Sequence, residues 1–170
     1  TAVVCLRNIR GGDNRFFNNI YIKTTDFEDE RSSDKGGRKV AVGYGLNGYD
    51  ASEYESFTGG NLFYNGAKPY KNEVDYLEIP GFEPAIEIEE GEDWVFLMLN
   101  FDNSTDQLNT EVVTTLRLGT TIVSEAIFES FNGTPYLINW DYLGNPRDKT
   151  HPTAGPLESL EAGKSRVQIW

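Results

Sequence analysis

The chain has 170 residues, with 27 acidic against 15 basic, and a formal charge of −12. It lacks the surplus of Lys and Arg that neutralises nucleic-acid phosphates and would be repelled by an anionic lipid surface, so neither is expected as a partner. The length fits one domain with a small appendage, and aromatics at 13% are ample for a core with some left for display.

The chain opens on Thr1 rather than Met, which points to a start made by processing, cloning or cleavage. No apolar run reaches membrane-spanning length and no signal-peptide pattern is read. Cys5 is the single cysteine, set in "AVVCL", so it reads as a small buried hydrophobe without a disulfide partner.

Helix signals are scarce, because no window sustains an i, i+3, i+4, i+7 apolar stripe and glycines interrupt most candidates. Strands are predicted instead at "AVVCLRNI" (2–9), "NIYIK" (19–23), "KVAVGY" (39–44), "NLFYNG" (61–66), "AIEIEE" (85–90) and "WVFLMLNF" (94–101). They continue at "EVVTTLRLG" (111–119), "TTIVSEAIF" (120–128), "PYLINWDY" (135–142) and "SRVQIW" (165–170). The fold class is therefore all-β. Ala85 to Glu89 alternates as a half-exposed strand should, Trp94 to Leu99 reads as the middle of the core, and Asn132-Gly133 marks a turn.

Asn19 and Asn61 open two similar units, "NNIYI" and "GNLFYN", spaced like successive coils of a parallel solenoid. Asn suits such corners because it tolerates tight dihedrals and its amide can stack on the next coil. Between the units, Lys23 to Lys39 is a charged insert read as a solvated loop. Asp26, Glu28, Asp29 and Glu30 there lack the spacing of a calcium loop. "DNSTD" (102–106) offers Asp102, Asn103 and Asp106 to calcium, but a polar turn is the simpler reading. No other cofactor or metal is expected, and a single histidine excludes a His/Cys zinc cluster.

The segment "WDYLGNPRDKTHPTAGP" (140–156) carries three prolines, two glycines and His151. Prolines fix φ and glycines open tight corners, so it reads as a clasp built to hold one shape. Asp141 and Asp148 are the candidates for the paired carboxylates of glycoside hydrolysis, against a plainer reading in which Arg147 pairs with one of them and ties the loop. His151 reads as an exposed loop residue. Tyr44, Tyr49, Tyr54, Trp140 and Tyr142 sit among Gly and Asp and are the candidate glycan contacts, flat rings against sugar C–H faces.

"RNIRGGDNRFFNNIYI", "GGNLFYNGAKP", "VVTTLRLG" and "DYLGNPRDKTHPTAGPLE", taken in this order, resemble the C-terminal end of secreted bacterial right-handed parallel β-helix proteins that act on plant and algal polysaccharides. The resemblance implies terminal β-helix-like coils over 1–75, with the charged insert at 23–39, then an antiparallel β subdomain over 76–170. A free-standing jelly-roll β-sandwich is the alternative. It also implies that Asp141, Tyr142, Gly144, Arg147, Gly155, Pro156 and Glu158 form a closing structural loop, while Trp140 and Leu143 depart from the pattern. The family's catalytic groups would lie on earlier coils, so no catalytic residue is carried over. The implied role is a non-catalytic cap of the helix end that contacts glycan, in a secreted or periplasmic protein, partnered by the remainder of a parent chain or by a partner chain. An autonomous carbohydrate-binding module and a glycoside hydrolase in its own right are the alternatives.

Overall fold

The computed structural model describes residues 11–23, 45–160 and 162–170. Cys5, Tyr44, the acids at 26–30 and all of the charged insert except Lys23 lie outside them. The described residues form an all-β architecture of short strands in several small sheets, without a barrel.

Strand β1 (Arg15–Phe17) lies parallel to β3 (Phe57–Gly59), and β2 (Ile20–Ile22) parallel to β4 (Leu62–Tyr64). Arg15 sits beside Phe57 and Ile20 beside Leu62, the same 42-residue step that separates Asn19 from Asn61. Strand β5 (Leu77–Ile79) then adds parallel to the other side of β4. Strands this short hold their register because the corners are bonded to one another. Asn18, Gly60 and Asp75 turn three successive passes with φ of 56°, 67° and 48°. Asn18 N donates to Gly59 O (3.0 Å) and Gly60 N to Asp75 O (2.9 Å). Asn and Asp tolerate this left-handed region, whereas Gly60 has a second reason to lack a side chain: a Cβ there would sit 2.3 Å from Asn18 Oδ1.

One position further on, the fully buried Asn61 bonds on every side. Its Oδ1 accepts from Asn19 N (2.8 Å) and Asn19 Nδ2 (3.2 Å), and its Nδ2 donates to Phe16 O (2.7 Å) and Glu73 Oε1 (2.6 Å). Beside this ladder, Phe63 stacks on Tyr21 at 5.1 Å and shares a core with Leu46, Ala67 and Tyr70.

Side chains alternate along β4, so Leu62 and Tyr64 face the other way, into a second core with Leu99, Phe101, Leu108, Ala154, Leu157 and Leu160. That face is covered by an antiparallel sheet in the order β10 (Gly163–Gln168), β7 (Val95–Phe101), β6 (Glu87–Glu90). Tyr64 OH donates across the junction to Asp102 Oδ1 (2.7 Å), which also accepts from Ser104 N (3.0 Å). Asp102 thus caps the 3₁₀ turn Asn103–Gln107. A small antiparallel pair, β8 (Val113–Thr114) with β9 (Leu137–Ile138), follows.

Four elements differ from the sequence reading. Residues 111–119 do not form one strand: after Thr114, Oγ1 accepts from Arg117 N (3.2 Å) and caps the helical turn Thr115–Leu118, which ends at Gly119 with φ 70°. Residues 120–128 make a turn closed by a bridge between Thr120 and Ile127, not a strand. The run from Trp94 is apolar on both faces, yet only alternate residues reach the core. Phe96 faces outward beneath the Arg166 guanidinium (3.3 Å), and Trp94 packs edge-on to it at 5.2 Å. Strand β6 is exposed along its whole length, Ile88 included. Parallel pairing runs on to Ile79 in β5.

Candidate functional site

The segment from Trp140 to Leu160 is organised by side chains rather than by a sheet. Asp141 N donates to Asn145 O (2.8 Å) and Gly144 N to Asp141 O (3.1 Å), with Gly144 at φ 81°. The buried Asp141 carboxylate fills this turn. Oδ1 accepts from Leu143 N (2.9 Å) and Asn145 N (2.7 Å), and Oδ2 from Asn145 Nδ2 (3.0 Å) and Glu158 N (3.0 Å). Burial alone would raise its pKa, but these four donors outweigh it and hold the group below the ordinary aspartate value.

Arg147 makes the second set of ties. Nη1 donates to Thr153 O (2.8 Å) and Nη2 to Gly155 O (2.7 Å), and its ion-pair partner is Glu158, at 3.3 Å. The acid partner is therefore neither Asp141, which is saturated by amide donors, nor Asp148. Glu158 in turn accepts from Asp148 N (3.2 Å) and Thr153 N (3.1 Å). Asp148 lies fully exposed, and its Oδ1 accepts from His151 N, Thr150 N and Thr150 Oγ1, each at 2.7 Å. The bond from the His151 amide is the largest cause of a pKa lowered to about 2. His151 itself is exposed.

The far side of the loop is sewn to the parallel strands. Gly155 N donates to Asn18 O (2.7 Å), and Thr110 Oγ1 to the carbonyl of the buried Pro152 (2.7 Å). Gly155 has φ 92°, and a Cβ there would press on Ile20 Cδ1 at 2.9 Å. Tyr142 N closes the loop on Pro156 O (2.8 Å). Ala154, Leu157 and Leu160 drop into the core.

Chemically, this leaves two carboxylates that are both held ionised. Glycoside hydrolysis requires one carboxyl with a raised pKa to act as acid beside a partner that stays ionised. Asp141 instead accepts from backbone and side-chain amides of the loop with both oxygens, and Asp148 from backbone and hydroxyl donors with Oδ1. Among its exposed side chains the loop presents two aromatic rings, Trp140 at 58% and Tyr142 at 65% exposure. A groove of about 210 Å³ is lined by Asp141, Leu143, Asn145, Leu157, Glu158 and Val167, and neither ring lines it.

Of the remaining aromatic candidates, Tyr49 and Tyr54 belong to another part of the fold. Tyr49 sits on a 3₁₀ turn with its ring on Phe16 at 5.0 Å, and Tyr54 is half-buried with its backbone against Gly12. Tyr44 lies outside the described residues. The sequence reading passed over Arg15, which ties β1 to the region beyond residue 110 and whose single Arg carries no motif.

No family model and no curated protein matches the sequence. Among solved structures, the fold is similar to that of XylC, determined in complex with xylose, with a TM-score of 0.76 and 24% identity. The match covers 95% of this chain and 27% of that one, so the chain spans about a quarter of XylC's length. Identity at this level is a likeness of fold.

Proposed function

We propose that this chain is the non-catalytic terminal part of a secreted or periplasmic parallel β-helix protein acting on polysaccharide. It closes the end of the coils and presents Trp140 and Tyr142 as a glycan contact. The observation that carries this reading is the chemistry of the clasp. Its carboxylates are consumed as acceptors that hold one loop shape, while its two aromatic rings stand in solvent. The 42-residue register with its Asn61 ladder supports the coil reading, and the xylose bound by XylC supports a sugar-related role.

The test is a titration of intrinsic tryptophan fluorescence with xylo-oligosaccharides and a panel of other plant and algal glycans. The reading predicts a saturable change with at least one glycan, lost in Trp140→Ala while the melting temperature holds. No response to any member of the panel would overturn the glycan contact.

A further inference from the structure

Between Thr114 and Trp140 no residue is buried, although the stretch is rich in large apolar side chains. Leu116 is 91% exposed and Phe131 fully so, with Val123, Ile127, Leu137 and Trp140 each more than half exposed. Charge is thin in the same stretch: only Arg117, Glu125 and Glu129, in a chain carrying 27 acidic and 15 basic residues. A lobe with apolar surface, few charges and no core of its own has the composition of an interface centre rather than of a solvated surface.

The attachment of the lobe says which way it faces. Asp13 Oδ2 accepts from Ile122 N (2.8 Å), and Arg15 donates through Nε to Leu118 O (2.6 Å) and through Nη2 to Thr120 O (2.8 Å). Asn18 Nδ2 donates to Glu111 O (2.7 Å), and the Arg117 guanidinium lies 4.8 Å over the Phe17 ring. Every one of these anchors is on β1 or at its two ends. Among the described residues, β1 is an outer strand, paired on one side only, to β3. The lobe is therefore tied to the outermost described pass of the parallel stack, while Arg117 also reaches Gly59 on the next pass and Asn139 O accepts from Arg147 N of the clasp (2.9 Å).

We infer that the apolar face of residues 114–138 docks the outward side chains of a further parallel coil of the same polypeptide, one that adds to the edges of β1 and β2 that are unpaired among the described residues. The inference rests on the reading of this chain as the end of a longer coil protein and assigns the surface through which that continuation is held. A stacked coil needs a neighbour to bury its apolar faces, and a lobe tied to the outermost described strand supplies one.

The test combines native mass spectrometry with hydroxyl-radical footprinting of Leu116, Phe131 and Leu137, on the protein purified from its source and on the isolated 170-residue chain. The inference predicts a larger polypeptide in which these three residues are labelled at least fivefold less than in the isolated chain. A larger polypeptide with labelling equal to that of the isolated chain would overturn the docking surface and leave the coil reading standing. A source protein that is one copy of this chain would overturn both. Two copies of this chain with the three residues protected would replace the coil with a second copy as occupant. Val123→Ser with Phe131→Ser guards against misfolding, since two exposed side chains leave the isolated chain's melting unchanged. The same pair lowers the melting temperature of the larger polypeptide if the surface is docked, and an unchanged melting temperature there counts against it.

Discussion

Replacing Asp141 by Asn separates a structural carboxylate from a catalytic one. The amide keeps one acceptor oxygen, which can still receive Leu143 N and Asn145 N. Its NH₂ then faces Glu158 N at 3.0 Å and Asn145 Nδ2 at 3.0 Å, donor against donor. Two charge-assisted bonds are lost, and a hydrogen bond to a charged group contributes about 1.5–3 kcal/mol. Some relaxation of the Asn145 side chain recovers part of this, so a net loss of about 3 kcal/mol is expected. For a chain of this size each kcal/mol moves the melting temperature by about 2–4 °C, giving a fall of about 6–12 °C. The wild-type contribution also has a pH signature. The folded pKa of Asp141 is below its unfolded value, so its stabilisation is complete above the ordinary aspartate range and is lost as pH falls through the lowered folded value. Urea unfolding from pH 7 to pH 3 should show the gap between wild type and variant closing toward acid. A variant within about 0.5 kcal/mol of wild type at pH 7, with its gap flat in pH, would refute the assignment of Asp141 as the keystone of the clasp.

Other substitutions probe the coil and its junction. Gly60→Ala places a side chain at φ 67° and 2.3 Å from Asn18 Oδ1, and should cost about 2–3 kcal/mol in chemical denaturation, the left-handed backbone alone contributing about 1–2. Tyr64→Phe removes the 2.7 Å bond to Asp102 and should cost about 2 kcal/mol, with the Asp102 carboxyl titrating nearer its ordinary value by NMR. Glu73 has its pKa raised by burial, partly offset by the bond from Asn61, so its protonated form is the one the fold favours. Stability should therefore decline as pH rises through that raised value, and Glu73→Gln should gain on wild type from pH 4 to pH 8 in melting experiments.

The parallel stack was legible from one feature: the Asn of "NNIYI" and the Asn of "GNLFYN" stand at corresponding corners, and Asn19 does bond to Asn61. Strands β1, β3 and β5 were not, because Arg15–Phe17, Phe57–Gly59 and Leu77–Ile79 are three-residue segments without the Asn-opened apolar run that marks β2 and β4. The central strand β7 was found from its apolar run, but which face met the core depended on Arg166 lying over Phe96 from 70 residues away. Thr114 and Thr115 read as β-branched strand formers until the capping bond from Arg117 N turned the chain into a helical turn. The clasp was recognisable by its prolines and glycines. Glu158 as the partner of Arg147 was not, since pairing is decided by which carboxylate is left free once Asp141 is saturated by amides. The exposed lobe at 114–140 gave no warning either, because its apolar residues look in sequence like any buried strand.

The most direct test of the central claim is whether the purified chain alone cleaves glycan. Reducing ends should be measured over a day with the chain and a panel of xylans and related polysaccharides, alongside retention of the chain on the same insoluble glycans. The account predicts retention on at least one of them and no release above the blank. Release of sugar by this chain alone, lost in Asp141→Asn or Asp148→Asn under conditions where the variant remains folded, would contradict it.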